Sequence, residues 1–262
     1  SPRTRPRRFR PTTFVGTRVD DATPLPLAWM RREARPKYRR LASGAFEATG
    51  DTWAVRSFAG LSGESATEGN TTFLETRETD SAGGGPLYIA ERDATVTRKE
   101  PKVPIGVLPG QKWIIVRITD GTLVAYEGMT PIYATLISPG AGGVPSRGQD
   151  HVKASTTPLG VYYVTFKDKA ATMSPERGKD RGFWIADVPH TQYFHPPFAL
   201  HAAYWHERFG EPTSAGCINL SPRDAEAMFA WSDPPVPEGW QGATGAGATK
   251  HNGPTTAVVV RR

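Results

Sequence analysis

Cys217 is the single cysteine among 262 residues. One cysteine excludes an intrachain disulfide, a C-x-x-C redox pair and any multi-cysteine zinc site. Two readings are left: an inert thiol packed as a small hydrophobe, or a reactive one. A reactive thiol needs a neighbouring base or cation to be thiolate at neutral pH. Imidazole suits that task, with an unperturbed pKa of about 6.5. His151, His190, His195, His201 and His206 all precede the cysteine. His201 ends the apolar run Phe198-Ala-Leu, and Cys217 follows Gly216 shortly before a helix cap at Ser221. Gly216 lets a substrate approach its backbone, and consecutive amide N–H groups at such a turn can hold an oxyanion. These residues suit nucleophilic acyl transfer, with a satisfied structural histidine as the competing reading. A metal site built from His195, His201 and His206 lacks the H-E-x-x-H pattern and a suitably spaced acid.

The elements that must position this pair read mainly as β. Gly (27) and Pro (24) are abundant, which favours many short strands joined by turns over a helical bundle. Strands are expected over Lys112–Ile118, Thr122–Tyr126, Pro131–Ser138, Val161–Phe166 and Thr256–Arg261. Asp120-Gly121 joins the first two as a hairpin in which both central residues take positive φ. Ser138–Asp150 reads as a Gly-rich loop. Ser221-Pro222-Arg223-Asp224 opens a helix with a Ser cap, Pro in the first turn and an acid three residues on. Its apolar stripe, Ala225, Met228, Phe229 and Trp231, ends at Asp233-Pro234-Pro235. Further upstream, short strands are expected at Trp53–Phe58, Thr72–Thr76 and Leu87–Ala90.

Charge divides the chain unevenly. Residues 1–40 hold 12 basic and 3 acidic residues, a net of +9, and the other 222 hold 20 and 23, a net of −3. A near-neutral body argues against a nucleic-acid partner, which wants a basic face on a folded domain. Three segments follow: a basic flexible arm (1–22), a small SH3-like β module (23–105) and a catalytic domain (110–262), separated by Pro101, Pro104 and Pro109. No apolar run is long enough to cross a membrane. Residues 1–30 contain no apolar stretch of the signal-peptide kind.

The motif around the thiol carries a family resemblance. His201-Ala-Ala-Tyr-Trp, followed by Thr213-Ser-Ala-Gly-Cys-Ile-Asn-Leu-Ser-Pro222, resembles the L,D-transpeptidase catalytic domain (YkuD) signature: a His, a spacer, Ser/Thr-His-Gly-Cys, an apolar residue, then Asn or Arg. Lys112-Trp-Ile, Tyr126-Glu-Gly, Thr157-Pro-Leu-Gly160, Asp187-Val-Pro189 and Gln192-Tyr-Phe194 extend the likeness over about 110–262. The resemblance implies a β-sandwich-like fold with one or two short helices, and crosslinking of peptidoglycan stem peptides in the periplasm or cell envelope without a cofactor or metal. It makes Cys217 the nucleophile and His201 its base. The amides of Gly216 and Cys217 become an oxyanion hole, the Ala202 carbonyl orients the His201 ring, and Asn219 supports the loop; Ala202, Ser214, Asn219, Tyr193, Trp184 and Met173 are expected on the substrate side. Met173, Phe183, Trp184, Tyr193 and Phe194 are placed on a lid over the acyl-donor groove, or in the core. The family is usually sensitive to carbapenems. One departure stands out: the motif's His before Gly-Cys is Ala215. That leaves an L,D-carboxypeptidase or endopeptidase, or a weak or inactive peptidoglycan-binding homologue, as alternatives. The arm is expected to meet anionic envelope polymers.

Overall fold

In the computed structural model the described residues are 12–173, 185–245 and 254–262. The chain is mainly β, as expected. A six-stranded sheet has the order Thr17–Arg18, Thr130–Leu136, Thr122–Glu127, Lys112–Arg117, Ala257–Arg261, Gly160–Tyr163. A five-stranded sheet has the order Ile218–Leu220, Phe198–Ala202, Ile185–His195, Phe166–Met173, Gly242–Thr244. Ile114, Val116, Val258 and Val260 of the first pack with Phe198, Leu200, Ile218 and Leu220 of the second, and Ala225 and Met228 of the helix Pro222–Trp231 join them.

The strand Lys112–Arg117 is buried on both faces. Alternate residues point to opposite sides of a strand. Trp113 and Ile115 therefore leave the sandwich core and pack, with Val259 and Phe209, against Leu27 and Trp29 from the N-terminal region. This double burial explains why the strand reads as an uninterrupted apolar run. The N-terminal region forms a seven-stranded sheet in the order Phe46–Trp53, Arg35–Arg40, Pro86–Ala90, Thr71–Thr79, Phe58–Glu68, Leu27–Trp29, Thr95–Thr97. Through Leu27 and Trp29 it covers the face of the six-stranded sheet that points away from the sandwich core.

Several sequence expectations change. The arm expected over 1–22 is not free from Thr12 onward. Thr17–Arg18 pair with Ala134 and Tyr133 as an edge strand, and Phe14 and Val19 are buried. The Gly16 N–H donates to Asp224 Oδ1 at 2.8 Å, tying this segment to the first turn of the helix. Trp53–Phe58 is a turn between strands, not a strand, with Arg56 at φ 59°. The expected strand Val161–Phe166 divides because it crosses between sheets: the Val164 N–H bonds to Thr256 O and the Thr165 N–H to Tyr193 O. The hairpin at Asp120-Gly121 forms, but its connection spans 118–121 and only Gly121 takes positive φ, at 65°. The helix cap matches its pattern, the Ser221 hydroxyl accepting the Asp224 N–H at 3.2 Å. The helix C-terminus is held by a buried lysine, Lys167, whose ammonium donates to the carbonyls of Phe229 and Ser232 at 2.5 and 2.8 Å. A second, single-turn helix, His151–Ala154, starts at an Asp150 cap.

Candidate active site

Two adjacent strands set the positions of Cys217 and His201. Phe198–Ala202 and Ile218–Leu220 run parallel, with Leu200 opposite Ile218 and His201 opposite Asn219. Cys217 immediately precedes the second strand. By alternation it shares a face with His201 and Asn219, whereas Leu200 and Ile218 point into the sandwich core. The Asn219 N–H and C=O both bond to the backbone of Ser138 at 2.9 Å. The Ala141 N–H bonds to Ser214 O at 2.8 Å, so the loop leading to the cysteine is clamped at both ends.

The His201 ring is oriented by its own strand. Its Nδ1 lies 3.0 Å from the Ala202 carbonyl oxygen. A carbonyl only accepts, so Nδ1 carries the ring hydrogen and Nε2 keeps its lone pair. The ring is buried, and burial lowers its pKa to about 4; the Ala202 carbonyl opposes that shift and nearby His206 adds to it. Burial likewise pushes the Cys217 thiol up to about 11, partly offset by the backbone of Ala199. The two groups thus rest as neutral thiol and neutral imidazole. The sulfur itself lies 4.0 Å from the Pro197 carbonyl oxygen.

The turn before the cysteine is rigid for steric reasons. Gly216 takes φ 125°, and a Cβ there would lie 2.5 Å from Phe198 Cε1. The Gly216 N–H donates to the Ser214 hydroxyl oxygen at 3.0 Å, while that hydroxyl donates to Cys217 O at 2.5 Å. The Gly216 amide is therefore engaged inside the loop, unlike the free donor that a two-amide oxyanion hole needs. Ala215 is exposed.

Cys217, His201, Ala202, Ser214, Gly216 and Asn219 fall within this one strand-and-loop unit. Tyr193 joins them: it pairs with Ala199, and its phenol is pushed up by burial first, then by Cys217 and Asp168. Met173 lies at the far end of the hairpin formed by Phe166–Met173 and Ile185–His195, paired with Ile185. That hairpin bends at Asp187 and His190, both at positive φ. Its Ala186 carbonyl accepts the Tyr204 hydroxyl at 3.0 Å, bringing this end of the hairpin to the segment that follows His201. Phe194 is not on the lid; it is buried in the sandwich core. Phe183 and Trp184 lie outside the described residues.

Sequence reasoning missed the cover over His201. Trp205 packs 5.8 Å from the His201 ring, and His206 stands 2.9 Å from the Asn219 side-chain amide. The Tyr-Trp-His cluster was the available signal, but spacing alone does not say that the chain folds back over the strand it has just left. Among the described residues no group of three or more His, Cys, Asp or Glu could hold a metal ion. No described helix is long and apolar enough to cross a membrane.

With the site in view, comparison with known proteins supplies the class. The sequence profile of the YkuD family, the L,D-transpeptidase catalytic domain, matches residues 111–260. The chain belongs to that family. Solved structures with a similar fold include the L,D-transpeptidase from Xylanimonas cellulosilytica DSM 15894, at 19% identity and TM-score 0.39 over 60% of this chain and 63% of that one. The L,D-transpeptidase from Mycobacterium smegmatis gives 13% identity and TM-score 0.42 over 74% and 91%. The catalytic domain of the E. faecium enzyme gives 21% identity and TM-score 0.39 over 58% and 98%. The chain spans less than two thirds of the Xylanimonas protein and 58% of the L,D-transpeptidase from Stackebrandtia nassauensis. No curated protein sequence matches the chain.

Proposed function

We propose that this protein is a cysteine-dependent peptidoglycan L,D-transpeptidase. The observation that carries the reading is the His201 Nδ1 contact to the Ala202 carbonyl, which leaves Nε2 as a base on the strand face that Cys217 shares. Cys217 Sγ attacks the carbonyl of the bond between the L-centre of a stem-peptide diamino acid and the terminal D-Ala. Its proton passes to His201 Nε2. The C–N bond then breaks, His201 returns the proton to the departing D-Ala amine, and a thioester remains. An amine of a second stem attacks the thioester, giving one proton to His201, which returns it to the sulfur. The Cys217 N–H is the amide offered to the oxyanion, because the Gly216 N–H is held by Ser214. Tyr193 stands close enough to the Cys217 thiol to feel its charge and is placed to meet the acyl donor. No step requires a cofactor.

The substrate puts the enzyme outside the cytoplasmic membrane, in the periplasm or cell envelope. The five arginines within residues 1–10 supply charge for anionic envelope polymers. The test is product analysis with a tetrapeptide stem as donor and a second stem as acceptor. D-Ala release with a crosslinked dimer supports transpeptidation. Release of D-Ala with a tripeptide alone makes the protein a carboxypeptidase, and no release refutes both.

A further inference from the structure

The short segment from Tyr204 to Phe209 forms a roof over His201, and His206 is the polar tie between that roof and the strand of Cys217. The His206 Nδ1 accepts the Arg208 N–H at 3.1 Å. A neutral ring with Nδ1 occupied in this way carries its hydrogen on Nε2. Nε2 stands 2.9 Å from the side-chain amide of Asn219. The atom facing Nε2 is the amide Nδ2, a donor against a donor, while the buried Asn219 Oδ1 has no partner; turning the carboxamide over puts Oδ1 on Nε2–H and satisfies both groups. Asn219 is the register partner of His201 and lies two residues after Cys217. Phe209 packs 5.1 Å from the His206 ring and Trp205 6.3 Å from it, and Trp205 also covers His201. Burial, with a smaller contribution from Arg208, keeps His206 neutral down to about pH 4, so the tie persists wherever the site works.

Resting on the transpeptidase reading, we propose that His206 is a positioning residue for Cys217 acylation: through Asn219 it latches the roof that keeps the His201 ring dry and aimed at the sulfur. In this chain, with Ala215 next to Gly-Cys, it is the second imidazole of the site. It acts on geometry and on solvent access rather than on a reacting atom.

The experiment measures the second-order rate of Cys217 acylation by imipenem against pH. It uses the full chain, His206→Phe, His206→Gln and Asn219→Ala, with thermal unfolding in parallel. Phe keeps the ring contacts and removes the hydrogen bonds. The titratable groups around His201 are His206 in the roof, Cys217 just before the next strand, Tyr193 beside Cys217, and Arg208 beyond His206 with its partner Glu211. Opening the roof readmits water, and relief of the burial that lowers the His201 pKa raises it. His206→Phe is expected to slow acylation about tenfold and to move the acid limb of the profile up by about one pH unit. His206→Gln, which can still bond Asn219, recovers most of the rate. Asn219→Ala gives the same shift from the other partner and replaces His206→Phe should that variant not fold. A normal rate and an unmoved acid limb in the folded variants overturn this inference alone. An unacylated parent chain overturns the transpeptidase reading, and this inference with it.

Discussion

His201 and Ala202 are neighbours in sequence, yet they form the contact that sets the tautomer of the ring: Nδ1 to backbone oxygen at 3.0 Å. A backbone carbonyl in that role needs no third catalytic side chain. It fixes the tautomer without adding a negative charge, which is why burial dominates and lowers the ring pKa to about 4. A carboxylate partner would have pulled the pKa the other way.

The depressed histidines predict an acid-sensitive fold. His201 and His206 both have folded pKa values of about 4, below an unfolded value of about 6.5. Between these values the unfolded chain binds more protons, so this stabilisation is full above about pH 6.5 and is lost as pH falls toward 4. His201 alone contributes on the order of 3 kcal/mol over that window. Urea midpoints measured from pH 7 to pH 4 should fall in the parent and fall less in His206→Phe, after each is referenced to its own pH 7 value. Equal slopes would contradict the assignment of part of the loss to His206.

Gly216→Ala tests the turn. The added Cβ meets Phe198 Cε1 at 2.5 Å and the Thr156 carbonyl at 3.0 Å, at a φ of 125° that L residues rarely adopt. A cost of about 1–3 kcal/mol is expected. Acylation of Cys217 should slow by at least tenfold. Wild-type melting and acylation together would mean that the loop is softer than its hydrogen bonds imply.

The N-terminal sheet is a cover, and Trp29→Ala measures its worth. Trp29 is buried in the cluster that holds Trp113, Ile115 and Val259. Loss of about 3–5 kcal/mol is expected, seen as a lower denaturant midpoint. A catalytic piece cut at residue 110 would expose that whole face and should aggregate; a soluble, active piece would refute the role.

Deletion of residues 1–11 should weaken binding to anionic wall polymers without changing Cys217 acylation. The cut must stop there: Phe14 and Val19 are buried, and the Gly16 N–H bonds to Asp224. Unchanged wall association would remove the polymer role.

Much of the site was legible because the chemistry sits in a short stretch of chain. Cys217, His201, Gly216 and Asn219 were singled out through the family resemblance, spacing alone leaving a structural histidine open, and the structure sets them in one strand-and-loop unit; the Ser221 cap was read from local hydrogen-bond logic. The sheet strands were legible where burial on both faces made them apolar runs, as in Lys112–Arg117. What stayed hidden depends on distant partners. Residues 12–19 look like a charged, Pro-containing tail until Ala134 and Asp224 are placed opposite them. Val161–Phe166 reads as one strand because alternation does not mark where a chain changes sheet. The engagement of Gly216 by Ser214 is invisible to spacing, since a serine two residues away can point either way. Trp205 and His206 gain their roles only when the chain doubles back over His201.

The central claim is that Cys217 is the acylated nucleophile, and intact-mass spectrometry after exposure to a carbapenem tests it most directly. The parent chain should gain one adduct, mapped by peptide digestion to Cys217. Cys217→Ala should gain none, and His201→Ala should acylate at least a hundredfold more slowly. An adduct on Cys217→Ala, or none on the folded parent, would contradict the account.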